Sequence, residues 1–357
     1  MSTSELNLTY IEIEQPGGTF YYTKVKAYEI IEKLDIKNRI EYEDGVQREL
    51  NKKRTSEIAE YLSLADAVLP TPIVISSKSV IARNGSELIL ALDEGGNYGE
   101  IIDGQHRYEG LRKSNDFFNF DVPLCIFVEL STEDKASIFS TINSTQVKVP
   151  KSYIYDLFGY SEDNTPIKFA HNVCKTLNYE EKGPLFRHIK MLGKKLHDQE
   201  VLSQAAFVDA IIPAFSKDIK KDANTLRQKK QLDPDPNLPL RTLYIENNIL
   251  IFSKLFSNYM RALQTVSEET WKGFILKSIG IKVFSRLFSE ICPYALKKGN
   301  AKVEYFAFVL SHIKQQIKEC STENGTNKRA EESTFEKLRT ALPNLDLLEF
   351  TEKADAP

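Results

Sequence analysis

The sequence has few of the residues and patterns that mark several large protein classes. It contains four cysteines in 357 residues, at positions 125, 174, 292 and 320, and no Cys-x-x-Cys pair. This spacing indicates reduced thiols rather than a disulfide scaffold or a zinc knuckle. No run of about 18 apolar residues is present, so no membrane-spanning helix is predicted. The first residues include neither a basic segment nor a long apolar core, so we expect no signal peptide and a cytoplasmic protein.

Familiar catalytic motifs are also absent. The chain has no Gly-x-x-x-x-Gly-Lys-Ser/Thr loop and no Gly-x-Ser-x-Gly elbow. It has five histidines, of which His106 alone lies in a motif. His171 and Cys174 have the spacing of half a metal site, but no second pair stands near them, so no metal site is predicted. A net charge of −3 means that any nucleic-acid surface would be a local patch.

The composition that remains is that of a globular protein, with 41% hydrophobic and 27% charged residues. The length suggests two domains, or one large domain with an extension. Residues 1–150 mix strand and helix patterns and are predicted to form an α/β (α+β) domain, whereas residues 151–357 are predicted to be mostly helical. Residues 217–241 are rich in charge and contain Asp233-Pro-Asp-Pro-Asn-Leu-Pro239, so we expect a linker or a mobile insertion there.

The N-terminal elements are predicted from the spacing of apolar residues and from the turn residues between the segments. Strand patterns cover residues 8–14 and 19–25, as a hairpin, and residues 73–75, 86–92, 101–102 and 122–128. Helical patterns cover residues 27–34, 52–62 and 132–142, the last with Thr132 as its cap. In the C-terminal half, helices are expected at residues 153–158, 167–177, 207–212, 243–262, 303–319 and 331–342.

One stretch, Asp103-Gly104-Gln105-His106-Arg107, carries the clearest chemistry. A short apolar strand enters it and a helix opens at about His106, so Gly104 suits the tight turn between them. The N–H groups of a helix start form an anion seat, and a guanidinium such as that of Arg107 matches phosphate. His106 can donate, accept or carry charge, and Asp103 could hold a sugar hydroxyl, orient His106 or help hold a metal. The alternative is an ordinary Asp–Gly turn between a strand and a surface helix.

Polar side chains elsewhere could converge on this turn. Arg48, preceded by Gln47, offers a second guanidinium, and the amides of Asn143 and Gln146 can read a base edge or a ribose. Ser144 can hydrogen-bond a phosphate. Each residue also has an ordinary alternative, because Arg48 could be a surface arginine and residues 143–146 could be a helix C-terminal turn.

Two basic stretches follow in the C-terminal half. Residues 182–197 contain no acid, and residues 271–300 contain the single acid Glu290. Basic helices in these stretches would supply phosphate contacts to DNA, although a solvated charged face is the simpler interpretation. The aromatic residues between the charges are expected to be core. The candidate DNA-contacting residues are Arg187, Lys190, Lys194, Lys195, Lys277, Lys282 and Arg286.

The five-residue stretch resembles the signature of the DGQHR-domain family. Residues 45–62 and 139–150 are also similar to stretches of that family, and the resemblance covers roughly residues 10–160. The family includes the DndB-type proteins of bacterial DNA phosphorothioation systems and relatives in deazaguanine DNA-modification islands. It is distantly similar to the ParB/sulfiredoxin superfamily, which implies a domain of that kind over residues 1–150.

The resemblance implies a DNA-binding protein that regulates or assists a DNA-modification or antiphage defence system. Its pocket would hold ATP or another nucleoside triphosphate with Mg²⁺, with a weak ATPase activity left open. Asp103 and His106 would be the catalytic pair, and the remaining predicted pocket residues would hold the ligand: Gly104, Gln105, Arg107, Gln47, Arg48, Asn143, Ser144 and Gln146.

Two other functions stay open at this point. One is a nucleotide-dependent phosphotransferase or nuclease that uses the same pocket. The other is an interaction module in which the turn is structural. The expected partners are DNA, a nucleotide and other components of a DNA-modification system; no membrane partner is expected, and oligomerisation is left open.

Overall fold

A computed structural model of the chain describes residues 5–39, 41–42, 45, 47, 49–64, 66–83, 86–114, 118, 120–144, 149–322 and 327–350. They belong to two compact units, residues 1–148 and 149–357. Within the part that is described, no helix has both the length and the apolar character needed to cross a membrane.

The first unit is built on a mixed sheet of eight strands in the order β3-β7-β4-β8-β2-β1-β6-β5. β1 and β2 form the predicted antiparallel hairpin, whereas β4 runs parallel to β8. The strands are β1 (Glu5–Gln15), β2 (Gly18–Lys26), β3 (Leu34–Asp35), β4 (Ile73–Ser77), β5 (Val80–Arg83), β6 (Glu87–Ala91), β7 (Gly99–Asp103) and β8 (Asp121–Val128).

The centre of this sheet explains the apolar runs in the sequence. All five residues of β4 are buried, because this strand lies between β7 and β8 and both of its faces are covered. One face packs on a core that includes Ile73, Ile75 and Ile101. On the other face, Val74 and Ile102 pack with side chains of helix α4 (Thr132–Ser144). The α/β class predicted for this part of the chain is therefore confirmed.

The helices of the first unit were predicted with mixed success. Helix α2 occupies Lys52–Leu62 as expected. Helix α1 is only Ala27–Ile30, shorter than the predicted 27–34, because Glu32 adopts a left-handed φ of 65° and the chain continues into β3. The cap of α4 is Ser131 rather than Thr132, since the Asp134 N–H donates to Ser131 Oγ at 3.1 Å.

Helix α3 (Gln105–Lys113) follows β7 and packs closely on α2. The contact is closest at Gly110, where an added Cβ would lie 2.4 Å from Ile58 Cγ2. No side chain larger than hydrogen fits at this position without moving α2. Glycine is normally unfavourable inside a helix, so close packing accounts for its presence here.

The second unit is mostly helical, as predicted. Its helices are α5 (Lys151–Leu157), α6 (Pro166–Tyr179), α7 (Gln204–Ile211), α8 (Ile219–Arg227), α9 (Arg241–Ile245), α10 (Ile249–Val266), α11 (Ser278–Lys297), α12 (Val303–Ser311), α13 (Lys314–Thr322) and α14 (Lys328–Ala341). Two short strands, β9 (Ile189–Lys190) and β10 (Leu202–Ser203), pair in parallel. The predicted helix at 243–262 is interrupted because Asn247 adopts a left-handed φ of 54°.

One further prediction for this unit was wrong. Residues 182–197 are not a helix but turns around β9, since Arg187 and Leu192 adopt positive φ angles of 53° and 55°. Residues 217–241 contain α8, and the mobility expected there stays a prediction. The Arg241 guanidinium holds them through two 2.8 Å hydrogen bonds to the buried Asp222 carboxylate.

The close approach at Gly110 makes a direct test of the packing of α2 on α3. We expect Gly110→Ala to lower the free energy of unfolding by about 1–3 kcal/mol, because the new methyl group overpacks the contact with Ile58. Urea denaturation measures this change. In an Ile58→Ala background the same substitution should cost less, since the nearest clashing atom is gone.

Gly17→Ala is the matched control, because Gly17 has nothing within 4 Å of an added Cβ. It should change stability by less than about 0.5 kcal/mol. Equal effects of the two glycine substitutions would contradict the packing assigned to α2 and α3.

Candidate functional site

The turn between β7 and α3 requires a glycine for two separate reasons. Gly104 has φ 97°, a left-handed conformation that side chains disfavour. An added Cβ would also lie 3.2 Å from the Ile73 Cα and 3.0 Å from Arg107 Nη2. The backbone of Gly104 therefore lies directly against β4 and against the guanidinium of Arg107.

The side chains of Asp103 and Arg107 close this turn. Arg107 Nη2 donates to Asp103 Oδ2 and to the Pro72 carbonyl, both at 2.8 Å. The two side chains are only 20% and 22% exposed, so solvent screens the ion pair less than at an open surface. Arg107 thus joins the end of β7, the start of α3 and the residue before β4.

His106 links α3 to the start of α2. The Asn51 N–H donates to His106 Nε2 at 3.1 Å, so this nitrogen is unprotonated and the neutral ring carries its proton on Nδ1. Burial lowers the pKa of His106 below its ordinary value, and the charges of Arg54 and Arg107 lower it further, whereas Asp103 raises it. The ring is therefore neutral at pH 7.

These groups border a pocket of about 330 Å³ at the turn. Its volume lies near the lower end of the range of small-molecule sites, roughly 300–1,000 Å³. The pocket is lined by the segment that leads into and forms the start of α2, by the turn itself and by one face of α4. The lining residues are Gln47, Glu49, Asn51, Arg54, Ile58, Asp103, Gly104, Gln105, His106, Arg107, Phe139 and Asn143.

Of the residues predicted to bind the ligand, most line this pocket. Gln47 is only 2% exposed, and its amide donates to the carbonyls of Ile101, at 2.9 Å, and Ile102. Gln105 is 5% exposed, and the Asn143 amide donates to the Phe139 carbonyl at 2.8 Å. The amide nitrogen of Gln47 is therefore already hydrogen-bonded to the backbone of β7.

One predicted residue, Ser144, is placed differently from the prediction. Ser144 is exposed and does not line the pocket; its hydroxyl donates to the Thr141 carbonyl at 3.3 Å. Arg48 and Gln146 lie outside the described residues, so their predicted roles stay predictions.

Several lining residues were missed from the sequence: Glu49, Asn51, Arg54, Ile58 and Phe139. Asn51 caps α2, because its side chain accepts from the Arg54 N–H at 3.0 Å. A cap signal one residue before the predicted helix could have identified it. Phe139 lies one helical turn before Asn143, so the face of α4 that carries the predicted Asn143 also contains Phe139.

A buried ion pair connects α4 to β7. Lys135 Nζ lies 2.6 Å from Glu100 Oε2, with the side chains 13% and 8% exposed. Lys135, Phe139 and Asn143 follow one another at four-residue spacing and so share a face of α4. The ion pair with β7, together with the packing of α4 on Val74 and Ile102, therefore turns this face of α4 toward the pocket.

The predicted DNA-contacting residues fall into two groups. Arg187, Lys194 and Lys195 are exposed in the turns around β9, and Lys190 is half-buried in that strand. Lys277 is exposed before α11, but Lys282 and Arg286 pair with Glu331 and Glu332 of α14 at 3.1 and 2.8 Å. The first group therefore presents more unpaired positive charge than the second.

The aromatic residues between these charges have a structural role. Trp271, Phe284 and Phe288 are buried in the core of the second unit, as the sequence predicted. The Arg286 guanidinium lies 3.6 Å from the ring centroid of Phe335, a cation–π contact that adds to its ion pair.

The contact between His106 and Asn51 leads to a pH prediction. Because the folded pKa of His106 is lowered, its contribution to stability is fully present above about pH 6.5 and is lost as the pH falls through the folded pKa. A titration of the His106 ring by NMR should give a midpoint below 6.5. Asp103→Asn should lower that midpoint further, since Asp103 is the charge that raises the pKa. A wild-type midpoint at or above 6.5 would contradict the acceptor role of Nε2.

Comparison with known proteins gives a family match. Residues 8–182 match the family model described as DndB: DNA-sulfur modification-associated, a range that contains every residue lining the pocket. Neither the curated proteins nor the solved structures contain a match. The likeness to the ParB/sulfiredoxin superfamily stays a prediction. Over residues 8–182, the chain thus matches the DndB family of DNA-sulfur modification-associated proteins.

Proposed function

We propose that the chain binds a nucleotide by its phosphate groups in the pocket at residues 103–107, and that it binds DNA to regulate or assist a DNA-sulfur modification system. The observation that carries the proposal is the pocket itself. It combines two helix starts, two guanidinium groups and two carboxylates within the region that matches the DndB family.

The backbone around the pocket favours an anionic ligand. Asn51 caps α2 and Gly104 caps α3, and both residues line the pocket. The first N–H groups of a helix lack partners inside the helix and carry the positive end of its dipole. A phosphate group placed between the two caps would receive hydrogen bonds and favourable electrostatics from both helices.

The carboxylates suit the metal ion that accompanies a nucleoside triphosphate. Glu49 and Asp103 both line the pocket, and Mg²⁺ prefers carboxylate and phosphate oxygens. Asp103 already accepts from Arg107, whereas Glu49 makes no hydrogen bond or ion pair with another described residue. Glu49 is therefore the carboxylate that would hold Mg²⁺ or accept a proton from water.

The contacts of the predicted catalytic residues favour ligand binding over catalysis. The predicted catalytic residues are both engaged in the resting site, Asp103 with Arg107 and His106 with the Asn51 N–H. A neutral His106 whose Nε2 is occupied is a weaker candidate for proton transfer than an open one. A nucleotide-dependent enzyme is the second candidate, favoured by the unpaired carboxylate of Glu49, and slow ATP hydrolysis would be its signature.

A thermal-shift panel tests nucleotide binding. ATP, CTP, GTP and ADP are each added with and without Mg²⁺, and at least one should raise the melting temperature. A ligand at a hundredfold excess over its Kd stabilises the folded state by about 2.7 kcal/mol. Adenosine is the matched control for ATP and should give little shift, because it lacks the phosphates that the two helix starts would bind.

A phosphate-release assay with the same nucleotides separates the alternatives. Phosphate release by wild type that is lost in Glu49→Gln, with nucleotide binding retained, would favour the enzyme. No shift with any nucleotide would reject the nucleotide hypothesis and leave the turn as a structural element of an interaction module.

DNA binding is proposed for the acid-free segment in the second unit, residues 182–197. Arg187, Lys194 and Lys195 are exposed, and Lys195 makes only a 3.6 Å contact with the fully exposed Asp198. Exposed cations of this kind bind phosphates at the expense of bound counterions, so affinity falls with salt.

A triple substitution of the three exposed cations, Arg187→Gln with Lys194→Gln and Lys195→Gln, tests this segment. We expect weaker DNA binding and a salt dependence whose log–log slope is smaller by roughly 2.7, about 0.9 for each lost phosphate contact. Fluorescence anisotropy with duplex DNA over a range of salt concentrations measures both.

A control triple removes the same charge elsewhere. Lys254, Lys314 and Lys328 are exposed on α10, α13 and α14, and their change to Gln should leave the slope nearly unaltered. Equal weakening by the two triples would mean that net charge, and not this segment, governs DNA binding.

A further inference from the structure

The sequence motif points to Arg107 as the phosphate-binding cation, but the geometry gives this residue another task. Its Nη2 already donates to Asp103 Oδ2 and to the Pro72 carbonyl. Its Nε is buried and has no hydrogen-bond partner among the residues described. The guanidinium also packs against the backbone of Gly104. Its charge is therefore balanced by Asp103, and its position is set by the turn.

Arg54 differs from Arg107 in each of these respects. It lies in the first turn of α2, lines the pocket and is exposed. Its side chain makes no ion pair with any other described residue, whereas the neighbouring Lys53 faces Glu57 at 4.0 Å. The guanidinium of Arg54 is thus available to a ligand without breaking an existing contact.

The balance of charge that a phosphate meets in the pocket depends on Arg54. The pocket is lined by the guanidinium groups of Arg54 and Arg107 and by the carboxylates of Glu49 and Asp103, with His106 neutral. Without Arg54, two carboxylates would face one guanidinium, and the site would repel a phosphate. With Arg54, an incoming phosphate meets a cation that has no competing carboxylate bonded to it.

We propose that Arg54, rather than Arg107, is the residue that binds the phosphate of the ligand, with the groups that cap α2 and α3 on either side. Arg107 is then a positioning residue that holds the turn. The inference rests on the proposed nucleotide function and names the residue on which affinity for the phosphate depends. A planar guanidinium can bind two phosphate oxygens at once.

The test compares Arg54→Gln with Lys53→Gln in the full chain. The two substitutions remove one positive charge each from adjacent exposed positions, but Lys53 does not line the pocket. Isothermal titration with inorganic triphosphate and with ATP measures affinity. Arg54→Gln should weaken both ligands by about tenfold to a hundredfold, the range expected for a lost charge-assisted hydrogen bond. Lys53→Gln should stay within about twofold of wild type, and Arg54→Lys should recover part of the loss.

A second measurement does not depend on the ligand. The charge of Arg54 lowers the pKa of His106, so NMR titration of the ligand-free protein should show a higher His106 pKa in Arg54→Gln and no change in Lys53→Gln. Loss of the ring's burial would also raise this pKa, so the rise supports the inference only where the backbone amide shifts around His106 match those of wild type. Circular dichroism shows that each variant is folded.

The outcomes separate this inference from the function on which it rests. Wild-type binding that Arg54→Gln leaves unchanged would overturn the role of Arg54 and keep the nucleotide pocket. The same holds if the His106 pKa rises but affinity does not fall. No binding of triphosphate or ATP by wild type would overturn both proposals together.

Discussion

The attachment of α2 to α3 is the contact on which the pocket depends. The Asn51 N–H bonds to His106 Nε2 at one end, and Ile58 packs against Gly110 at the other. Together these contacts bring the start of α2 beside the turn that β7 and α3 share. If the two helices separated, Asn51 and Arg54 would leave the pocket, and the turn would lose the part of the lining that α2 supplies.

The five residues of the motif have different structural roles. Gly104 permits the backbone conformation, and Asp103 with Arg107 closes the turn by an ion pair. His106 secures α2, and Gln105 is a buried lining residue. Most residues of this motif therefore build the wall of the pocket, although the motif by itself looks like a set of ligand-binding residues. This division explains why a residue outside the motif, Arg54, presents the open positive charge.

In the second unit, the number of basic residues in a stretch does not predict how many of them lack an acidic partner. The basic character of α11 is real in the sequence, but Lys282 and Arg286 are matched by Glu331 and Glu332 of α14. These acids lie 49 and 46 residues away, so no local pattern predicts the pairing. By contrast, residues 182–197 around β9 contain no acid, and Lys195 makes only a 3.6 Å contact with the fully exposed Asp198. The same pairing principle orders residues 217–241, where Arg241 reaches back to Asp222.

Local patterns alone were enough to identify the α/β and helical halves, the hairpin of β1 and β2, the bounds of α2 and the turn at Gly104. These features follow from side-chain periodicity, from burial on both faces of a central strand and from the φ angles that glycine allows. The sequence also pointed to the family through residues that the matched range contains.

Only the tertiary structure decided what the polar side chains do. Gln47 bonds to the edge of β7, Arg107 bonds to Asp103 and Pro72, and Arg54 is left open to the pocket. A hydrogen bond or ion pair is satisfied by whichever partner the fold brings within about 3 Å, and that partner can be far away in the chain. The residue types in a pocket can therefore be read from the sequence, whereas the division between binding groups and groups that hold the site together cannot.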